Sequence, residues 1–165
     1  MLAHMFEIIV QNFLILMARL LRGEKLGEGG SRVVYAIIGT RCLVLKWGKF
    51  SSAGNKNEWH IWKAVEHSNK AHLFARCYAI NSDGRYLLME RVRDLNETEA
   101  KNRPRMPIWV TDRKRSAYGV ASNGDIKLRD YGITRACKDY ANAPLMDYPP
   151  DDDIDEMRRL RDIFN

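Results

Sequence analysis

The stretch D-I-K-L-R-D-Y-G, Asp125 to Gly132, sets a carboxylate, Asp130, between a short strand-like run and a glycine. A carboxylate held at a strand end is placed to reach a hard cation such as magnesium. Eighteen residues upstream stands Asp112, after Ile108 to Thr111, where it could accept a hydroxyl proton or orient a nucleophile in the same cleft. In the first third of the chain lie the glycine-rich turn G-E-G-G-S, Gly27 to Ser31, and a lone lysine, Lys46, within V-L-K-W. In this order and spacing the pieces describe a site for a nucleoside triphosphate and its metal.

Working outward, the residues before Asp125 alternate in the way of strands. Gly23 to Gly30 is turn-rich, Arg32 to Ile38 is dense in β-branched and aromatic residues, and Cys42 to Trp47 is a short apolar strand between Gly39 and Gly48. These make a three-stranded antiparallel start. Ser51 to Asn57 reads as a polar loop. Glu58 to His67 reads as an amphipathic helix carrying Trp59, Trp62, Ala64 and Val65. Leu73 to Ile80 and Arg85 to Val92 flank Asn81-Ser82-Asp83-Gly84, a hairpin signal. The expectation is a five-stranded antiparallel sheet with one helix.

Such a sheet suits phosphate chemistry. Glycines in the Gly27–Ser31 turn remove the Cβ atoms that would keep backbone amides from a polyphosphate. Lys46, in an apolar strand, needs a nearby anion, because burying an ammonium alone costs several kcal/mol. Glu58 is the nearest downstream carboxylate, and Glu66 a poorer choice.

Composition sets the outer limits. The 165 residues form one domain or two small lobes, enough to bury roughly 70% of the unfolded surface. The three cysteines, Cys42, Cys77 and Cys137, lack CxxC pairing, which argues against a disulfide framework or zinc site and for a reducing, cytoplasmic setting. Part of the +6 net charge sits in Lys101, Arg103, Arg105, Arg113, Lys114 and Arg115, a stretch open to phosphates or an acidic partner. No nucleic-acid-binding module accompanies it. Met1 to Leu21 reads as a helix with a broad apolar face, too interrupted by Glu7, Gln11, Asn12 and Arg19 to span a membrane. Its plain role is to cover its own domain; its sharper role is to dimerise or bind a partner protein. Asp151 to Phe164 reads as a capped terminal helix.

From Gly23 to Gly132 the chain resembles a protein kinase-like domain, and most closely the small kinase-like proteins predicted in bacteriophages and bacteria. G-E-G-G-S-R-V-V-Y resembles the family's glycine loop, V-L-K-W its strand-lysine motif, L-L-M-E-R-V its hinge, and D-I-K-L-R-D-Y-G the stretch that ends in D-F-G. The resemblance implies an α+β, two-lobed fold: an apolar helix over residues 1–22, an N-lobe over 23–92 and a strongly truncated C-lobe over 93–165. ATP and Mg²⁺ are the implied cofactors. Gly27, Gly29, Gly30 and Ser31 would cover the phosphates, Val34 the adenine, and Lys46 would reach the α/β-phosphates with Glu58 as its ion-pair partner. Met89 would stand as gatekeeper, Glu90 to Val92 would offer backbone hydrogen bonds to adenine, Asp130 would bind the metal and Asp112 would be the catalytic-loop aspartate.

The departures are specific. The loop's third glycine is Arg32, the catalytic-loop histidine and arginine are Val110 and Thr111, and the metal-binding asparagine is Ala117, whose methyl group cannot ligate magnesium. Only about twenty residues separate the hinge from Asp112, too few for two full helices. The expectation is therefore a pseudokinase or very weak kinase acting as a binding and regulatory module. The alternative is an active Ser/Thr or small-molecule kinase using Lys46, Glu58, Asp112 and Asp130.

Overall fold

The structure, a computed structural model, describes residues 2–112, 114–134 and 137–146. The expected terminal helix over Asp151 to Phe164, and Arg113 of the basic stretch, lie outside the described residues.

The fold is α+β. An N-terminal helix α1 (Leu2–Leu20) leads into β1 (Arg22–Glu28), β2 (Arg32–Ile37) and β3 (Leu43–Gly48), then helix α2 (Ala53–Val65), β4 (Cys77–Ile80) and β5 (Tyr86–Glu90). These strands form one antiparallel sheet in the order β1-β2-β3-β5-β4. Gly23 to Gly30, turn-rich by composition, is mostly strand, because pairing with β2 satisfies its backbone despite two register shifts.

Alternation along the strands sends side chains to two covers. Val44, Leu87 and Met89 face α2 and join Ile61, Trp62 and Val65 in the main core. Leu45, Leu88, Ala79 and Ile37 face the other way and meet Ile15 and Ala18 of α1. A bulge between Cys77 and Ala79 in β4 lets these two residues serve opposite faces. Helix α1 therefore covers the outer face of the sheet, packing on β4 and β5.

Helix α2 starts five residues earlier than the sequence pattern implied and takes in most of the expected polar loop. The cause is tertiary: the buried Asn55 amide donates to the carbonyls of Gly84 (3.2 Å) and Arg85 (3.0 Å), tying the helix start to the β4–β5 turn. That turn matches its signal, with Gly84 at φ +78° and Asn81 and Asp83 accepting from the amides of Tyr86 and Arg85. Strand β4 is shorter than the Leu73–Ile80 run, since residues 71–73 form a tight helical turn and Phe74 bridges to Leu128.

The second half is built from small pieces: α3 (Glu97–Lys101), β6 (Met106–Pro107), β7 (Tyr118–Val120), β8 (Ile126–Leu128) and β9 (Leu145–Met146). α3 is started by a capping box, Asn96 accepting from the Glu99 amide and Glu99 accepting in return. β7 and β8 form a hairpin, and β6 pairs with β9. The main core continues unbroken from the sheet into this half through Phe74, Trp109, Val110, Tyr118, Leu128 and Tyr131. Phe74 stacks on Trp109, ring centroids 5.4 Å apart.

Candidate functional site

Between the sheet and the β7–β8 hairpin lies a cleft of about 510 Å³, within the range of small-molecule sites. Its roof is the β1–β2 hairpin, closed by the Gly29 amide donating to the Arg32 carbonyl at 2.9 Å. Gly27, Gly29, Gly30 and Ser31 all line the cleft. None of the three glycines needs a left-handed backbone. What they provide is space: a Cβ built on any of them meets nothing within 4 Å.

The floor is made by β2 and β3, whose register pairs Val34 with Lys46. Lys46 is 6% exposed and Glu58, on α2, is 0% exposed. The Lys46 Nζ donates to both Glu58 oxygens at 2.9 Å and to the Arg129 carbonyl at 2.5 Å. The Tyr131 amide donates to Glu58 Oε1 at 3.2 Å. A carboxylate with no exposed surface thus has cationic and backbone partners, which offset the cost of its burial. Glu66 is engaged elsewhere, with Lys63.

The inner wall is the stretch that the resemblance marks as a hinge. Met89, fully buried, and Glu90 and Val92 line the cleft. The Glu90 and Arg91 amides donate to the carbonyls of Arg76 and Cys42, whereas the Val92 amide has no backbone partner among the described residues.

Asp130 sits at the cleft with its side chain 45% exposed. Tyr131 anchors it from below: its hydroxyl donates to the Ala75 carbonyl at 2.8 Å and contacts the Cys77 thiol at 3.1 Å. Gly132 must be small, because a Cβ there would lie 2.8 Å from the Gly54 carbonyl at the start of α2.

Asp112 is half-buried and is not among the residues lining the cleft; its carboxylate accepts from the Lys114 amide at 3.1 Å, a turn contact two residues on. Ala117, at the place of the metal-binding asparagine, is buried, and its carbonyl accepts from the amides of Arg129 and Asp130. Ser116 is the residue there that lines the cleft. The structure therefore brings together Lys46, Glu58, Asp130, the glycine turn and residues 89–92, and Asp112 is not among the residues that line their cleft.

Arg32 is the feature that motif matching missed. Its Nη2 donates to Asp130 Oδ1 and its Nη1 lies 2.9 Å from Glu58 Oε1, an ion pair without hydrogen-bond alignment. Burial works against the guanidinium's charge, but Glu58 and Asp130 outweigh it and hold Arg32 protonated. Burial likewise raises the Asp130 carboxyl, and Lys46 and Arg32 reverse this, leaving it below its ordinary value. The signal was present: Arg32 is two residues before Val34, so the strand period puts both on the cleft face.

Among its described residues the cleft holds no ready-made all-protein metal cage. Every carboxylate lining the cleft is paired with a base: Glu28 with Lys25 and Lys49, Glu90 with Lys127, Asp94 with Arg129, and Asp130 with Arg32. Among the described residues no group of three or more His, Cys, Asp or Glu side chains is arranged to hold a metal.

No protein-family model matches the sequence, and no curated protein matches it. No described helix is long and apolar enough to cross a membrane.

Proposed function

We propose that this chain is a kinase-like nucleotide-cleft protein that acts as a binding and regulatory module, holding ATP and transferring its phosphate slowly or not at all. The observation that carries the reading is the buried Lys46–Glu58 pair under a glycine hairpin, beside a wall whose Val92 amide has no backbone partner among the described residues. Lys46 would meet the phosphates, Val34 and Met89 would enclose the base, and Val92 would fix its edge. Asp112 away from the cleft lining and a methyl group at Ala117 both weigh against turnover.

A module needs a surface, and α1 offers one. Phe6, Ile9, Phe13, Leu16 and Leu20 are exposed at spacings of three and four residues, with Phe6 and Leu20 each at 69%. A stripe of this kind suits a helical protein partner or a second copy of the chain. The basic stretch is a weaker surface: Arg103 and Arg115 donate to the carbonyls of Ala100 and Leu95. The alternative, an active kinase, draws on the same Lys46–Glu58 pair; phosphotransfer by the wild type that disappears in Asp112→Asn would favour it.

The direct test is a thermal-shift titration with ATP, with and without Mg²⁺, on wild type and Lys46→Met. ATP at 100 times its Kd stabilises a binding protein by about 2.7 kcal/mol. The expected result is a shift in wild type that Lys46→Met removes; no shift in wild type under either condition overturns the reading.

A further inference from the structure

Resting on the nucleotide-cleft reading, we infer that Arg32 takes the place of the divalent cation, so that the cleft binds a nucleoside polyphosphate as the metal-free anion. The first ground is charge. Lys46 and Glu58 cancel, and Asp130 alone would leave a negative floor facing the phosphates; the Arg32 guanidinium on Asp130 and Glu58 removes that charge. A metal ordinarily performs this neutralisation at phosphoryl sites.

The second ground is that the guanidinium occupies a fitted niche. It is bordered by Gly54 of α2 and Gly132 beyond β8: a Cβ on Gly54 would touch its Cζ at 3.4 Å, and one on Gly132 would crowd its Nη1 at 3.3 Å. It reaches the niche from the end of the glycine hairpin, which ties the roof of the cleft to its floor. Arginine suits the role, being always charged and carrying five donors in a planar fork. Its Nη2 donates to Asp130 and its Nη1 is buried against Glu58, while the side chain as a whole lines the cleft. The third ground is that each of the other cleft carboxylates is already paired with a base, so that a magnesium ion would compete with a resident cation for its charge.

The test compares ATP and ADP binding by calorimetry in excess EDTA and in excess Mg²⁺. Wild type is expected to bind at least as tightly in EDTA as in Mg²⁺. Arg32→Gly is expected to bind about tenfold or more weakly in EDTA, the loss of one charge-assisted contact, and to gain affinity on adding Mg²⁺, because Asp130 is freed. Arg32→Lys, which keeps the charge, is expected to retain part of the EDTA binding. Wild-type binding that requires Mg²⁺ overturns this inference and leaves the nucleotide cleft standing; no binding by wild type in either buffer overturns both. The wild-type comparison decides the matter even if Arg32→Gly does not fold.

Discussion

Glu58 is the residue on which the site turns, because two cations and an amide converge on a side chain with no exposed surface. Glu58→Gln keeps the shape and leaves Lys46 and Arg32 buried with one carboxylate between them. Breaking a buried pair in this way costs about 3–5 kcal/mol, and urea denaturation should show it; a loss below about 1 kcal/mol, the range of an exposed pair, would mean that water reaches the cluster. Tyr131→Phe is a gentler probe. It removes the hydroxyl from the Ala75 carbonyl and is expected to cost about 1–3 kcal/mol. Burial first, then the Glu58 charge, pushes the Cys77 thiol up, so it stays protonated and unreactive in the folded chain. Among the cysteines, a thiol reagent should label exposed Cys42 in the native protein and Cys77 only on unfolding.

Among the elements, α1 divides into two faces with different consequences. Ile15, 3% exposed, fills the outer side of the sheet together with Ala18. Ile15→Ala is expected to cost about 2–5 kcal/mol by leaving a cavity. Phe6 and Phe13 touch no such core, and Phe6→Glu with Phe13→Glu should change stability by about 0.5 kcal/mol or less while abolishing any self-association seen by sedimentation or capture of a protein partner. If the double variant instead unfolds the chain, the stripe belongs to the fold and not to a partner.

For the molecule as a whole, the main core runs from α2 and the sheet into the second half without a break, Trp62 and Trp109 belonging to one cluster. Tryptophan fluorescence and far-UV circular dichroism should therefore report one coincident unfolding transition. The Arg32–Asp130 contact spans 98 residues of chain, and its pH dependence has a definite sign. The folded carboxyl lies below its ordinary 3.8, so its contribution is complete above that value and is lost as pH falls through the lower folded value. Asp130→Asn should be less stable than wild type at neutral pH, with the gap closing in acid; a gap that stays constant would show that the charge of Asp130 does not contribute.

Much was legible in the residues alone. β-branched runs, the Asn81–Gly84 turn and the period of two determined β2, β3 and the β4–β5 hairpin, and a lysine inside V-L-K-W demanded an anion that Glu58 supplies. These are local or pairwise requirements, carried by propensity and by the cost of burying charge. Three things depended on the folded arrangement: α2 begins early because Asn55 bonds to a turn thirty residues away, Asp112 stands off the cleft, and Arg32 closes on Asp130 from the far end of the domain. Each rests on where distant backbone segments come to lie, and side-chain identity carries no record of that distance until the core has packed.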